Sequence, residues 1–155
     1  MSRRGVAGWD MDQAEIRAAT LKDIPAMEEV IREAYAEYRK TVPDLPNVAG
    51  GLEAEIRNHL VWVAEGDGRL LGVVILHITE EVAHLVNVAV APAGRGRGLG
   101  QKLIQLAVKA ARGTGARVMR LATHKDMQGN IELYQRLGWE RTRAEGTKVM
   151  MERGL

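Results

Sequence analysis

The chain has 155 residues, 46% hydrophobic and 27% charged, enough for one domain with a buried core and too few for two. It has no cysteine, which excludes disulfides, thiolate metal sites and an acyl-cysteine intermediate, and no apolar run long enough to span a membrane. The net charge of +2 hides a polarity: residues 1–91 hold 9 Lys/Arg against 15 Asp/Glu, while residues 92–143 hold 11 against 3. A phosphorylated cofactor, a nucleic acid, or simply solvated basic helix faces would each suit that second half.

Residues 1–13, with no apolar core behind Arg3 and Arg4, read as a flexible leader rather than a signal peptide, so residues 14–155 are expected to form one cytoplasmic domain. Ala14 to Thr20 reads as a strand. Thr20 and Asp23 have the spacing of a capping box, and behind them Ile24, Met27, Ile31, Ala34 and Tyr38 recur at helical spacing over 21–40. Pro43 and Pro46 mark a loop, and Gly50-Gly51 opens a shorter helix through about His59. Val61–Glu65 and Arg69–Ile78 flank Gly66-Asp67-Gly68 as a hairpin, and Val82–Ala91 is a third apolar strand. Leu99, Leu103, Leu106 and Ala110 then share one helical face, ended by Gly113 and Gly115. Ala116–Thr123 reads as a strand, Ile131–Leu137 as a helix, and Trp139–Arg143 with Thr147–Glu152 as a last hairpin. The order βααβββαβαββ predicts an α/β fold with a mixed sheet.

Between the third apolar strand and its helix lies Gly94-Arg95-Gly96-Arg97-Gly98-Leu99-Gly100. Glycines at a helix start let backbone N–H groups approach a pyrophosphate, where the helix dipole adds its positive end. Arg95 and Arg97 offer further charged donors. The spacing matches neither G-x-G-x-x-G nor a P-loop, so hydride transfer and nucleoside triphosphate hydrolysis lose ground. A basic turn without a ligand stays open on this evidence.

Val88-Ala89-Val90-Ala91-Pro92 followed by Arg95-Gly96-Arg97-Gly98-Leu99-Gly100 resembles the acetyl-CoA-binding motif of the GNAT superfamily of N-acetyltransferases, [Q/R]-x-x-G-x-[G/A], matched at Arg95, Gly98 and Gly100. Asn130 to Trp139 resembles that family's second cofactor motif. The resemblance covers roughly residues 14–153. It implies a mixed sheet of about six to seven strands flanked by helices, with the strand ending at Val90 splayed from Ala116–Thr123 at an acetyl-CoA cleft. It further implies that Val88, Ala89 and Val90 hold the pantetheine arm, the Val88 N–H lying near the thioester carbonyl. Arg95, Gly96, Arg97, Gly98, Leu99, Gly100 and Gln101 would cradle the pyrophosphate. Asn130 and Tyr134, four apart on one helical face, would border the cofactor, with the Tyr134 hydroxyl aimed at its sulfur. For these two, helix capping and core packing are the plainer alternatives.

Many family members place a glutamate near the positions held here by Val86 and Asn87. The remaining candidates for the base are His84, His124, Glu80, Glu81 and water. In a regular strand residues 84, 86 and 88 share a face, which would let His84 hold a relay water; a bulge would change that facing. No histidine spacing signals a metal. The expected reaction is acetyl transfer from acetyl-CoA to a primary amine by direct attack, with no metal and no membrane partner. A CoA-binding sensor or a basic nucleic-acid-binding module without turnover is the alternative, the module disfavoured by only six aromatic residues. A homodimer is compatible with either. For the amine, Tyr35, Tyr38, Trp62 and Trp139 offer aromatic walls, and Glu33, Glu37 and Asp44 acidic ones.

Overall fold

The computed structural model describes residues 14–41 and 50–155; the expected leader and Asp44 lie outside them, as does the side chain of Glu37. The element order is the expected one. β1 (Glu15–Ala18) leads through a 3-10 turn (Leu21–Asp23) into α1 (Ile24–Thr41), then come α2 (Leu52–Asn58), β2 (Leu60–Gly66), β3 (Arg69–Thr79) and β4 (Val82–Val90). A second 3-10 turn (Pro92–Gly94) precedes α3 (Leu99–Gly113), followed by β5 (Val118–His124), α4 (Gln128–Arg136), β6 (Glu140–Glu145) and β7 (Lys148–Gly154). The strands form one seven-stranded sheet in the order β1-β2-β3-β4-β5-β7-β6. β4 and β5 are the parallel pair, linked by α3 as the crossover that parallel strands need; the other neighbouring pairs are antiparallel.

The start of α1 is fixed locally. Asp23 accepts the Thr20 N–H at 2.7 Å, and the Thr20 carbonyl accepts the Asp23 N–H at 2.9 Å. Arg17 of β1 grips the same carboxylate with two bonds of 2.9 Å, which holds Asp23 down at about 2, well below the usual carboxylate range. Behind that cap, Met27, Val30, Ile31 and Ala34 form the buried stripe. The β2–β3 turn is a two-residue loop in which Asp67 (φ 56°) and Gly68 (φ 76°) are both left-handed, the geometry that matches strand twist.

β3 is buried on both faces, which explains its unbroken apolar run. Leu70, Val73 and Ile75 pack with α1 and α2, while Leu71, Val74 and Leu76 pack with α3 and α4. In α3 the buried face is Leu99, Leu103, Ile104, Ala107, Val108 and Ala111; the expected Leu106 and Ala110 are half-buried flanks, because a 3.6-residue period advances the stripe past them. α4 begins at Gln128, three residues before the sequence-based start, so Asn130 lies inside its first turn and does not cap it.

Two features of β4 position the site. First, its pairing with β5 covers Val82–His84 against Val118–Arg120 only. β5 stays paired with β7 as far as His124–Lys148, so the two parallel strands part beyond His84. Second, Leu76 faces Leu85 and Ile75 faces Asn87, which makes Val86 the extra residue of a β-bulge. The bulge reverses the facing: Ala83 and Leu85 belong to the α3–α4 side before it, Val88 and Val90 after it.

Candidate active site

Beyond His84, β4 has a neighbour on one side only. The Ala91 N–H donates to the Leu71 carbonyl of β3 at 2.9 Å. Alternation along the strand therefore turns the N–H groups of Val88 and Val90 onto the open edge, where a backbone-like ligand can pair with them. Two cavities open on that edge. One, of about 540 Å³, is bordered by Val88, Ala89, Val90, Arg95 and Gly100, with Tyr35 and Tyr38 of α1 across from them. The other, of about 450 Å³, lies between Leu85–Val88 and Leu121–His124 and reaches Thr147 and Lys148. They meet at Tyr35, Val88, Met127, Asn130 and Tyr134, which border both.

The glycine turn has the conformation of an anion cradle. Gly96 (φ 80°) and Gly98 (φ 72°) are left-handed, and a Cβ on either would meet nothing within 4 Å, so their exposed faces are open. Gly98 caps α3 without any side-chain contribution, and the Lys102 N–H donates to its carbonyl at 3.1 Å. The amides of Leu99, Gly100 and Gln101 thus have no acceptor within the helix. Both arginines are engaged by the fold: Arg95 donates to the Ala34 carbonyl at 3.2 Å, and Arg97 reaches Asp67 at 3.4 Å. Arg95 still borders the larger cavity, whereas Arg97 chiefly ties the turn to the β2–β3 loop.

Tyr134 is in the core and at the cleft at once. Its ring meets Trp139 edge-on, centroids 5.5 Å apart, and burial pushes its phenol well above the usual tyrosine range, so the hydroxyl keeps its proton at neutral pH. Tyr35 is pushed up to about 12 by the same burial, and its hydroxyl donates to the Asn87 side-chain oxygen at 3.2 Å. Asn87 is 6% exposed and borders the smaller cavity. An amide in the middle of an apolar strand was the signal for it in the sequence. Met127, which borders both cavities, gave none.

The structure separates the candidates for the base. His84 and Val88 lie on opposite faces of β4, because the Val86 bulge breaks the regular alternation that would have aligned them. His84 borders a neighbouring depression with Arg120 and Glu152, not the two cavities at Tyr134. Burial and the charge of Arg120 hold its imidazole below the ordinary value. Glu80 and Glu81 form the β3–β4 turn, at the paired end of β4. His124 does border the smaller cavity, but its Nδ1 accepts the Asp126 N–H at 3.1 Å, which assigns the proton of the neutral ring to Nε2.

Among the expected acceptor walls, Tyr35 and Tyr38 border the cleft. Trp139 is 1% exposed within the core, and Trp62 packs half-buried against it. Glu33 instead approaches Arg69 at 3.6 Å. Among the described residues, no helix is long and apolar enough to cross a membrane.

Comparison with known proteins agrees with this architecture. The chain is 32% identical over 135 residues to the uncharacterized N-acetyltransferase YjgM of Escherichia coli, covering 81% of each protein. It is 27% identical over 133 residues to the uncharacterized N-acetyltransferase YhfO of Bacillus subtilis, covering 81% of this chain and 89% of that one. Among solved structures, the PaiA N-acetyltransferase of Thermoplasma acidophilum, in complex with coenzyme A, superposes with a TM-score of 0.80 at 24% identity, over 92% of this chain and 99% of that one. Residues 25–139 match the model of the acetyltransferase (GNAT) family, and to that family the chain belongs.

Proposed function

We propose that the protein transfers the acetyl group of acetyl-CoA to a primary amine of a small molecule or polypeptide by direct attack in a ternary complex. The observation that carries this reading is the junction of the two cavities between Val88 and Tyr134. The larger cavity ends at the glycine turn and takes the cofactor; the smaller one takes the amine. The coenzyme A in the PaiA complex supports the same ligand here. In this reading the pantetheine amides pair with Val88 and Val90. The diphosphate sits on the N–H groups of residues 96–101, and Asn130 lines the arm.

The amine nitrogen attacks the thioester carbonyl carbon, forming the C–N bond and an oxyanion. The Val88 N–H donates to that oxyanion. The C–S bond then breaks, Tyr134 donates its hydroxyl proton to the leaving sulfur, and the proton the attacking nitrogen must lose passes to water, from which Tyr134 is reprotonated. A phenol held above its usual 10 or so is an uphill donor to a thiolate whose conjugate acid is near 8.5, so a strong hydrogen bond carries most of its effect. The ammonium proton must leave before attack, and we assign it to a water on the free carbonyls of β4 rather than to His84.

The test is a panel of alkyl amines and of peptides with free N-termini or lysines, incubated with acetyl-CoA and read by free thiol release. Saturable release that requires an amine is expected. Tight CoA binding with no release from any amine would overturn the enzyme reading and leave a CoA sensor.

A further inference from the structure

Outside the residues that border the two cavities, the end of α2 and the start of the β2–β3 pair bring two imidazoles and a carboxylate together. Glu55 and His59 are four residues apart, so they emerge on the same side of the helix end. His59 is also the residue before β2. Since Leu60 pairs with Leu76, His59 lies across from His77 of β3. The ring centroids of His59 and His77 are 3.5 Å apart and the planes differ by 17°. The His77 Nε2 and the Glu55 Oε1 are 2.5 Å apart, and one donor atom from each of the three residues lies within 4.8 Å of the others.

We propose that Glu55, His59 and His77 form a binding site for a borderline divalent transition metal of the zinc type, completed by water. Three arguments support it. Imidazole nitrogen and carboxylate oxygen are both ligands that zinc takes, and three protein ligands completed by water is a coordination it adopts. Zn²⁺ takes nitrogen at about 2.0–2.1 Å and carboxylate oxygen at about 2.0–2.2 Å, so tetrahedral ligands stand roughly 3.3 Å apart. The His77–Glu55 separation is shorter than that value and the other donor pairs lie within 4.8 Å, so the rings must unstack and the side chains rotate to take the ion. The side chains of Glu55 and His77 are 24% and 28% exposed and His59 is exposed, which gives ions entry and leaves room for water ligands. The mixed N/O set selects against Mg²⁺ and Ca²⁺, which prefer oxygen alone. His84 pairs with His77 on β4 and lies one strand further along the same row. The bound metal would pin the end of α2 to the sheet.

Tag-free, chelator-treated full-length protein is titrated with Zn²⁺ by calorimetry at pH 7.5, alongside His59→Asn and Glu55→Gln, with circular dichroism to confirm folding. His59 is exposed, so its variant tests the site without loss of core packing. We expect one Zn²⁺ per chain, a raised Tm, and affinity at least about tenfold weaker in each variant. Mg²⁺ gives no signal. Co²⁺ gives visible ligand-field bands that are lost in His59→Asn. Absence of Zn²⁺ binding to the wild type, or unchanged affinity in both folded variants, would overturn the proposal.

Discussion

The two lobes of the cleft are built differently. The lobe proposed for the cofactor has one wall of backbone, the open edge of β4 and the glycine turn, with side chains of α1, α3 and α4 across from it. Its donors are backbone amides, freed by an unpaired strand edge and by left-handed glycines. The lobe proposed for the amine is lined by side chains of α1, β4, β5, α4 and the β6–β7 turn. A ligand read by backbone amides makes few demands on side-chain identity, only that Cβ atoms stay away. A ligand read by side chains from five elements can be changed by any of them. In the proposed reading, the cofactor is held chiefly by backbone and the amine chiefly by side chains.

The strongest way to break that contrast is in the cofactor lobe. Gly100 borders the larger cavity and is not left-handed, so Gly100→Glu adds bulk and negative charge without backbone strain. Like charges placed together cost several kcal/mol, so calorimetry should show acetyl-CoA affinity lowered by at least about 100-fold, with native circular dichroism. At the junction, Tyr134→Phe keeps the edge-on contact with Trp139 and removes only the hydroxyl. Turnover should fall by about 100-fold, the lower end for a lost general acid, with acetyl-CoA affinity unchanged. Its pH–rate profile should match the wild type below about pH 10, because the raised phenol does not titrate there. In the acceptor lobe, Tyr35→Phe leaves the buried Asn87 oxygen without its donor, which costs about 1–3 kcal/mol. Tm should drop by a few degrees, and KM should rise for the amine more than for acetyl-CoA. His84→Ala should leave kcat/KM within about threefold of wild type, against the roughly 10²–10⁴-fold that removal of a direct base would cost.

The smallest effect lies outside both lobes. Asp23, held near 2 by Arg17, contributes stability that is fully present above the unfolded carboxylate value of about 4 and is lost as pH falls through the folded value. Arg17→Ala should therefore lower the urea midpoint at pH 6, and its difference from wild type should shrink by pH 2.

What the sequence carried follows the same division. The glycine turn, the capping at Thr20 and Asp23, and the Asp67-Gly68 hairpin are local, since each conformation is dictated by residues within a few positions. The bulge at Val86 is not. It arises from how β4 registers with β3, and nothing between Leu85 and Asn87 announces it, so the sequence leaves the facing of His84 conditional on a regular strand. The sequence places the start of α4 three residues late because Met127 carries no helix-start signal, and the earlier start removes the capping alternative for Asn130. The wall shared by Tyr35 and Asn87 joins residues 52 positions apart, and the cluster of Glu55, His59 and His77 needs a helix end to meet a strand. Periodicity cannot show such meetings.

The central claim is that acetyl-CoA lies along the open edge of β4, with its sulfur at the junction of the two lobes. The most direct measurement is a crystal structure of the protein with bound acetyl-CoA. The account predicts the diphosphate on the amides of residues 96–101, the thioester oxygen facing the Val88 N–H, and the sulfur within hydrogen-bonding distance of the Tyr134 hydroxyl. A cofactor seated elsewhere, or a sulfur turned away from Tyr134, would contradict it.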